Sequence, residues 1–216
     1  MLQTYLVGGS WMKRLSFIIS LIILTLSLGA CSNSYKMKSS LKEEGIAPYS
    51  LNESEEYLLE SFGLINDSQL ISFNAPKEAI TLLVNLYSLD DNGNWQEVTS
   101  GGGISIGNET KPMEHLEGTF AMTLRDDYSI DCVLRPGATS NMKMESIDFN
   151  PTISAKAFLT DFVPIKLNQE IPVAIMVYDC GTSFRSFAVE SYFEPDIFEG
   201  MDSVQAVTLT FTDKEL

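Results

Sequence analysis

Apolar residues recur at every second position in short runs from Gln69 onward, and the runs are separated by Gly, Asn, Asp and Pro. That period places alternate side chains on opposite faces of an extended chain, the pattern of strands with one covered face. "AITLLVNLYSL" puts Ile80, Leu82, Val84 and Leu86 on one side; "DDNGNW" follows as a hairpin turn and "WQEVTS" as the returning strand. Further strands are predicted in "GISIG", "HLEGTFAMTLR", "YSIDCVLR", "MKMESIDF", "AKAFLTDF", "IPVAIMVYDC", "SFAVESYF" and "VQAVTLTFTD". In the last of these Val207, Leu209 and Phe211 alternate with threonines, as on a half-buried sheet.

One earlier stretch changes period. In "NESEEYLLESFGLI", Asn52 stands three residues before Glu55 as in a capping box, Leu58, Leu59, Phe62 and Ile65 share a helical face, and Gly63 supplies a stop. A short helix over 52–66 is expected, packed on the domain, with docking to a partner as the alternative. Ser32–Ser50 is polar, rich in Ser and Lys and without apolar periodicity, which predicts a flexible tether over 31–51. Strands at a spacing of about 8–12 residues then predict an all-β domain over 67–216, an antiparallel β-sandwich. An immunoglobulin-like arrangement is one form of it, and a small β-barrel with a ligand cavity is the alternative.

The N-terminal region has its own pattern. Lys13 and Arg14 precede Leu15–Leu28, an uncharged apolar run of a length suited to a signal-peptide core and short of the roughly 20 residues that cross a bilayer. Leu28-Gly29-Ala30-Cys31 closes the run, and in this setting resembles the lipobox of bacterial lipoproteins. The resemblance covers about the first thirty residues. It implies a signal peptide over 12–30, cleavage before Cys31, and a diacylglycerol thioether on the Cys31 sulfur, with a further acyl chain on the new amino group in many members. Several chains on one residue anchor firmly where a single chain binds only marginally. Residues 1–11 precede the basic start, and the codons of Gly8-Gly9 contain GG-x-GG, like a ribosome-binding site. Translation is therefore expected to begin at Met12.

Charge follows from that cleavage. The whole chain carries 14 Lys plus Arg against 29 Asp plus Glu, a net charge of −15; without Lys13 and Arg14 it is −17. So acidic a surface repels nucleic acid and anionic headgroups and favours solubility or cationic partners. With Cys31 set aside, Cys132 and Cys180 remain in the domain. In an oxidising compartment they are a candidate disulfide, the alternative being two independent thiols. Two cysteines and the lone His115 cannot build a structural zinc site.

Catalytic motifs fare poorly. "GISIG" matches G-x-S-x-G around Ser105, but no helix follows before Lys111-Pro112 and His115 comes only ten residues later, so a strand running into a turn is expected. "DDNGNW" lacks the spacing of a calcium loop. Asp126, Asp127 and Asp131 in "RDDYSID" are expected to be solvated turn carboxylates rather than cation ligands. No catalytic residue, metal or cofactor is assigned. Three N-x-S/T sequons and the C-terminal "DKEL" would matter in a eukaryote, which the lipobox argues against.

"SYFEPDIFEGMDS" combines Tyr192, Phe193, Ile197 and Phe198 with four acidic residues on a proline-broken loop. Aromatic anchors with an acidic rim suit a binding surface; covering the end of the core is the other use for them. The sequence thus points to a lipid-anchored, non-catalytic binding or accessory module on the extracytoplasmic face of a bacterial membrane. Its partners would be the membrane, through the lipid, and an envelope protein or small ligand, with nucleic acid excluded. An envelope hydrolase using loop carboxylates is the alternative. Ser32 after the cysteine resembles a default sorting residue, and the long tether leans to a Gram-positive surface.

Overall fold

The computed structural model describes residues 41–98, 104–106, 115–135, 138–142, 150–182 and 185–214. Among them twelve strands form two antiparallel sheets: β1 Gly45–Pro48, β2 Ser68–Asn74, β3 Thr81–Leu89, β4 Trp95–Glu97, β5 Ile104–Ile106, β6 Glu117–Leu124, β7 Ile130–Arg135, β8 Ala138–Met142, β9 Ile153–Phe158, β10 Val163–Pro164, β11 Glu170–Asp179 and β12 Ser203–Thr212. The first sheet runs β10-β1-β2-β6-β7-β8 and the second β4-β3-β12-β11-β9, with β5 on the same strand, β3, as β4. Both sheets are open at their edges, so the fold is a β-sandwich and not a closed barrel. An immunoglobulin domain places its last strand at a sheet edge. Here β12 lies in the middle of the second sheet, between β3 and β11, so that arrangement does not apply.

The registers define two ends. Gly45, Asn74, Glu117 and Arg135 lie at the end where the chain enters the first sheet, with Thr81, Thr212 and Glu170 at the same end of the second. Phe73 against Phe211, with ring centroids 5.7 Å apart, joins the two sheets near this proximal end. Tyr128 against Tyr178, at 5.0 Å and 78°, joins them at the distal end.

Period two decides which side chains meet between the sheets. Leu82, Val84 and Leu86 of β3, Met176 of β11, and Val207, Leu209 and Phe211 of β12 face Ile71, Phe73, Phe120, Cys132 and Leu134 of the first sheet. Ile80, expected with them, precedes β3 and is partly exposed. The intervening residues of β11 and β12 are also buried: Ile175, Val177, Val204 and Ala206 form a second cluster with Tyr192 and Phe198. The second sheet is therefore covered on both faces, by the first sheet and by its own β11–β12 connection.

Two expectations at the N-terminal side change. The stretch 31–51 was expected to be tether, yet Gly45–Pro48 is a strand paired with both β2 and β10. Ile46 carries the reason: its side chain is wholly buried in the main core, which an isolated apolar residue in a polar stretch does not advertise. Residues 1–40, including Cys31, lie outside the described residues. The helix α1, Glu53–Ser61, has the predicted capping box: Asn52 accepts from the amides of Ser54 and Glu55, and Glu55 accepts from the Asn52 amide at 2.8 Å. Gly63, at φ +68°, ends it by letting the Leu64 amide reach back to the Leu59 carbonyl. The expected apolar face is covered only in part: Leu59 and Ile65 are half-buried, Leu58 and Phe62 stand exposed, and no residue of α1 is fully buried. Among the described residues no helix is long and apolar enough to cross a membrane.

Candidate functional site

The β11–β12 connection carries the chemistry that the fold leaves facing solvent. "SFAVESYF" was expected to be a strand, but Val189–Phe193 forms a 3₁₀ turn, followed by a second one at Pro195–Phe198. Pro195 has no amide proton to give to a ladder, and the segment lies across the face of a sheet where no strand edge is free to pair.

The connection is held in place from below. Tyr192 stacks on Trp95 with centroids 4.8 Å apart and planes 19° from parallel, and the Trp95 indole N–H donates to the Tyr192 carbonyl at 2.9 Å. Phe198 meets the edge of Trp95 and packs 5.0 Å from Phe187. One carboxylate ties this layer to the sheet: Glu170 accepts the Tyr192 hydroxyl on Oε2 at 2.6 Å and the Tyr87 hydroxyl on Oε1. Burial first, then the bond to Glu170 and its charge, push both phenol pKa values above the ordinary range, so each remains a donor.

The four expected interface residues accordingly divide. Tyr192 and Phe198 are buried and belong to the second cluster, serving the core. Phe193 is 64% exposed and Ile197 42% exposed, on the outer surface of the same connection. The 3₁₀ geometry separates them, because neighbouring side chains on so tight a turn point in different directions.

Two depressions flank this layer. Toward the distal end a groove of about 500 Å³ runs between the β3–β4 turn and the second 3₁₀ turn, and it is edged by Asp90, Asp91, Asp196, Glu199 and Asp202. Asp90 shapes its side of the groove by accepting the amides of Asn94 at 2.8 Å and Asn92 at 2.9 Å, bonds that lower its pKa. Asp202 accepts the Cys180 amide at 2.7 Å and is lowered likewise. Toward the proximal end an open basin of about 530 Å³ has Leu83, Asn85, Gln169, Glu170, Phe193 and Thr210 around it, with Asn168 beside them.

The remaining sequence candidates are dispersed. Cys132 is buried in β7 and Cys180 exposed just past β11, both as free thiols, so the candidate disulfide is not made. The reason is register: Cys132 faces the inter-sheet core, whereas Cys180 lies in the turn after the distal end of the second sheet, 3.7 Å from the Asn150 carbonyl. Ser105 lies in β5, paired with Leu83 as a strand. His115 is hydrogen-bonded to Asn74 at 2.7 Å in the first sheet. Asp131 is paired with Arg125, while Asp127 accepts from the amide and hydroxyl of Ser129. "MKMESIDF" lies almost wholly outside the described residues, β8 ending at Met142. Among the described residues no group of three or more His, Cys, Asp or Glu is placed to hold a metal ion.

Trp95, Glu170, Asn85 and Gln169 were not singled out by the sequence. A usable signal did exist in Ile171–Tyr178, eight residues without one charged or amide side chain: in an antiparallel sheet such a run needs cover on both faces. No protein family, curated protein or solved structure matches this chain.

Proposed function

We propose that the protein is a lipid-anchored, non-catalytic binding or accessory module on the extracytoplasmic face of a bacterial membrane, with the β11–β12 connection as its contact surface. The observation that carries this reading is the clamp on that connection. Glu170, Tyr87, Trp95 and Tyr192 fix it to the sheet, while Phe193 and Ile197, two apolar side chains that folding alone would bury, remain in solvent, Phe193 at the proximal basin and Ile197 between Asp196 and Phe198 of the acidic groove. Exposed aromatic and aliphatic anchors on a rigid support are what a binding surface needs, since little ordering entropy is lost on contact. Binding is preferred to hydrolysis because the most firmly held carboxylate, Glu170, has both oxygens engaged by phenols.

The anchor rests on the lipobox resemblance at Cys31. Strand β1 begins fourteen residues after that cysteine, so covalent geometry limits the separation of the sandwich from the lipidated sulfur to about 50 Å. Two measurements test the reading. Mass spectrometry of the membrane-extracted protein should show an N-terminus at Cys31 carrying diacylglycerol, and an unmodified, uncleaved chain defeats the anchor. A photo-crosslinking residue at position 197 in intact cells should capture one discrete species that is lost on Phe193→Ser. Crosslinks identical to those from a site on β8 would defeat the contact surface.

A further inference from the structure

The basin beside Phe193 has a composition that selects one class of ligand. Its floor is sheet: Leu83, Thr210 and Glu170 are register partners on β3, β12 and β11, and Leu83 and Thr210 have a paired strand on each side. None of its lining residues is cationic, which leaves nothing to hold a phosphate or carboxylate. Its single carboxylate, Glu170, is shared by two phenols, which makes it a poor counter-ion for a cation. Its apolar side chains are Leu83 and the ring of Phe193, set among polar ones that a purely hydrophobic ligand would leave unpaired.

What remains is uncharged hydrogen-bonding capacity around one exposed ring. A carboxylate has about four acceptor positions, and the phenols take two of those on Glu170. Asn85 and Gln169 each bring an amide with donors and an acceptor. Phe193 meets Tyr192 with centroids 5.3 Å apart and planes at 86°, and at 64% exposure it keeps much of its ring surface in solvent for stacking.

We infer that this basin binds an uncharged saccharide, with the C–H face of one pyranose ring on Phe193 and its hydroxyls divided among Glu170, Gln169 and Asn85. The inference rests on the binding reading above and gives it a ligand class. A sugar ring pairs a flat apolar face with a rim of groups that both donate and accept, and an open basin takes one or two units of a longer chain without enclosing them.

The test is an oligosaccharide array probed with the full-length, detergent-extracted protein, followed by saturation-transfer NMR with N,N′-diacetylchitobiose, cellobiose and maltose. At least one neutral oligosaccharide should bind. Phe193→Ala and Gln169→Ala should each weaken it about tenfold, whereas Leu58→Ala, on the exposed face of α1 and outside both depressions, should leave it unchanged. Circular dichroism confirms that each variant is folded. Binding confined to acidic glycans, or neutral binding that survives Phe193→Ala, overturns the inference. Absence of glycan binding while the position-197 crosslink persists overturns the saccharide and spares the binding reading; loss of both overturns the two together.

Discussion

Removing one oxygen atom tests whether Glu170 holds the third layer. Tyr192→Phe keeps the ring stacked on Trp95 and deletes the hydroxyl whose 2.6 Å bond to Glu170 joins the connection to the sheet. Hydrogen bonds to a charged partner contribute about 1.5–3 kcal/mol, so the variant should lose about 2 kcal/mol of unfolding free energy and about 6 °C of melting temperature. Glu170→Gln should lose a similar amount, because its amide can accept from one phenol but presents N–H groups to the other. The double variant should lose less than the sum, with a coupling of about 1 kcal/mol, since both changes remove the same bond. Urea unfolding followed by fluorescence suits the question: in a chain starting at Cys31, Trp95 is the one tryptophan, and it lies directly on Tyr192. The signal reports the layer, while far-UV circular dichroism reports the sheets. Losses below about 0.5 kcal/mol, or strict additivity of the two substitutions, would refute the clamp and leave area burial as the whole attachment.

Three further outcomes follow from the same geometry. Tyr87 and Tyr192 have phenol pKa values raised by burial and then by Glu170, and Tyr178, raised to about 12 by burial and the nearby Tyr128, titrates late as well. The folded state therefore holds protons that the unfolded state releases near pH 10, so stability is complete below pH 10 and declines above it; urea midpoints at pH 9 and pH 11 check this, with a shallower decline for Tyr192→Phe. A maleimide should label Cys180 in the native protein, while Cys132, buried and pushed up to about 12, should react only after denaturation; native labelling of both would contradict the core assignment. Gly118→Ala places its Cβ 1.9 Å from the Arg135 carbonyl oxygen across the β6–β7 ladder, so it should cost several kcal/mol and leave most of the chain insoluble, as a thermal melt of the soluble fraction would register.

The hairpin of β3 and β4, the capped helix and the alternation in β12 were legible, because local chemistry sets them: Asp90 and Gly93 make the turn, Asn52 and Glu55 the cap, and period two the apolar face of Val207, Leu209 and Phe211. The half-buried sheet expected there was not found, since Thr208 and Thr212 on the opposite face are buried as well. Strand β1 was not, since four residues with one deeply buried side chain carry too little pattern to outweigh polar neighbours. The site was half legible. Composition marked the aromatic and acidic residues of 191–203, but which rings face inward depends on a 3₁₀ geometry and on Trp95, nearly a hundred residues earlier in the chain. Glu170 could not be found at all from spacing, because its role is created by two tyrosines that only the folded sheet brings to it.

The position of β12 makes one strand answer for both layers. Its ten residues join β3 to β11 through eight paired positions on each side. Without it β3 and β11 have no common neighbour, and the apolar faces of the two sheets have nothing to close on. β12 is thus the axle of the second sheet and not a fringe, and a lesion there is felt on both of its faces at once.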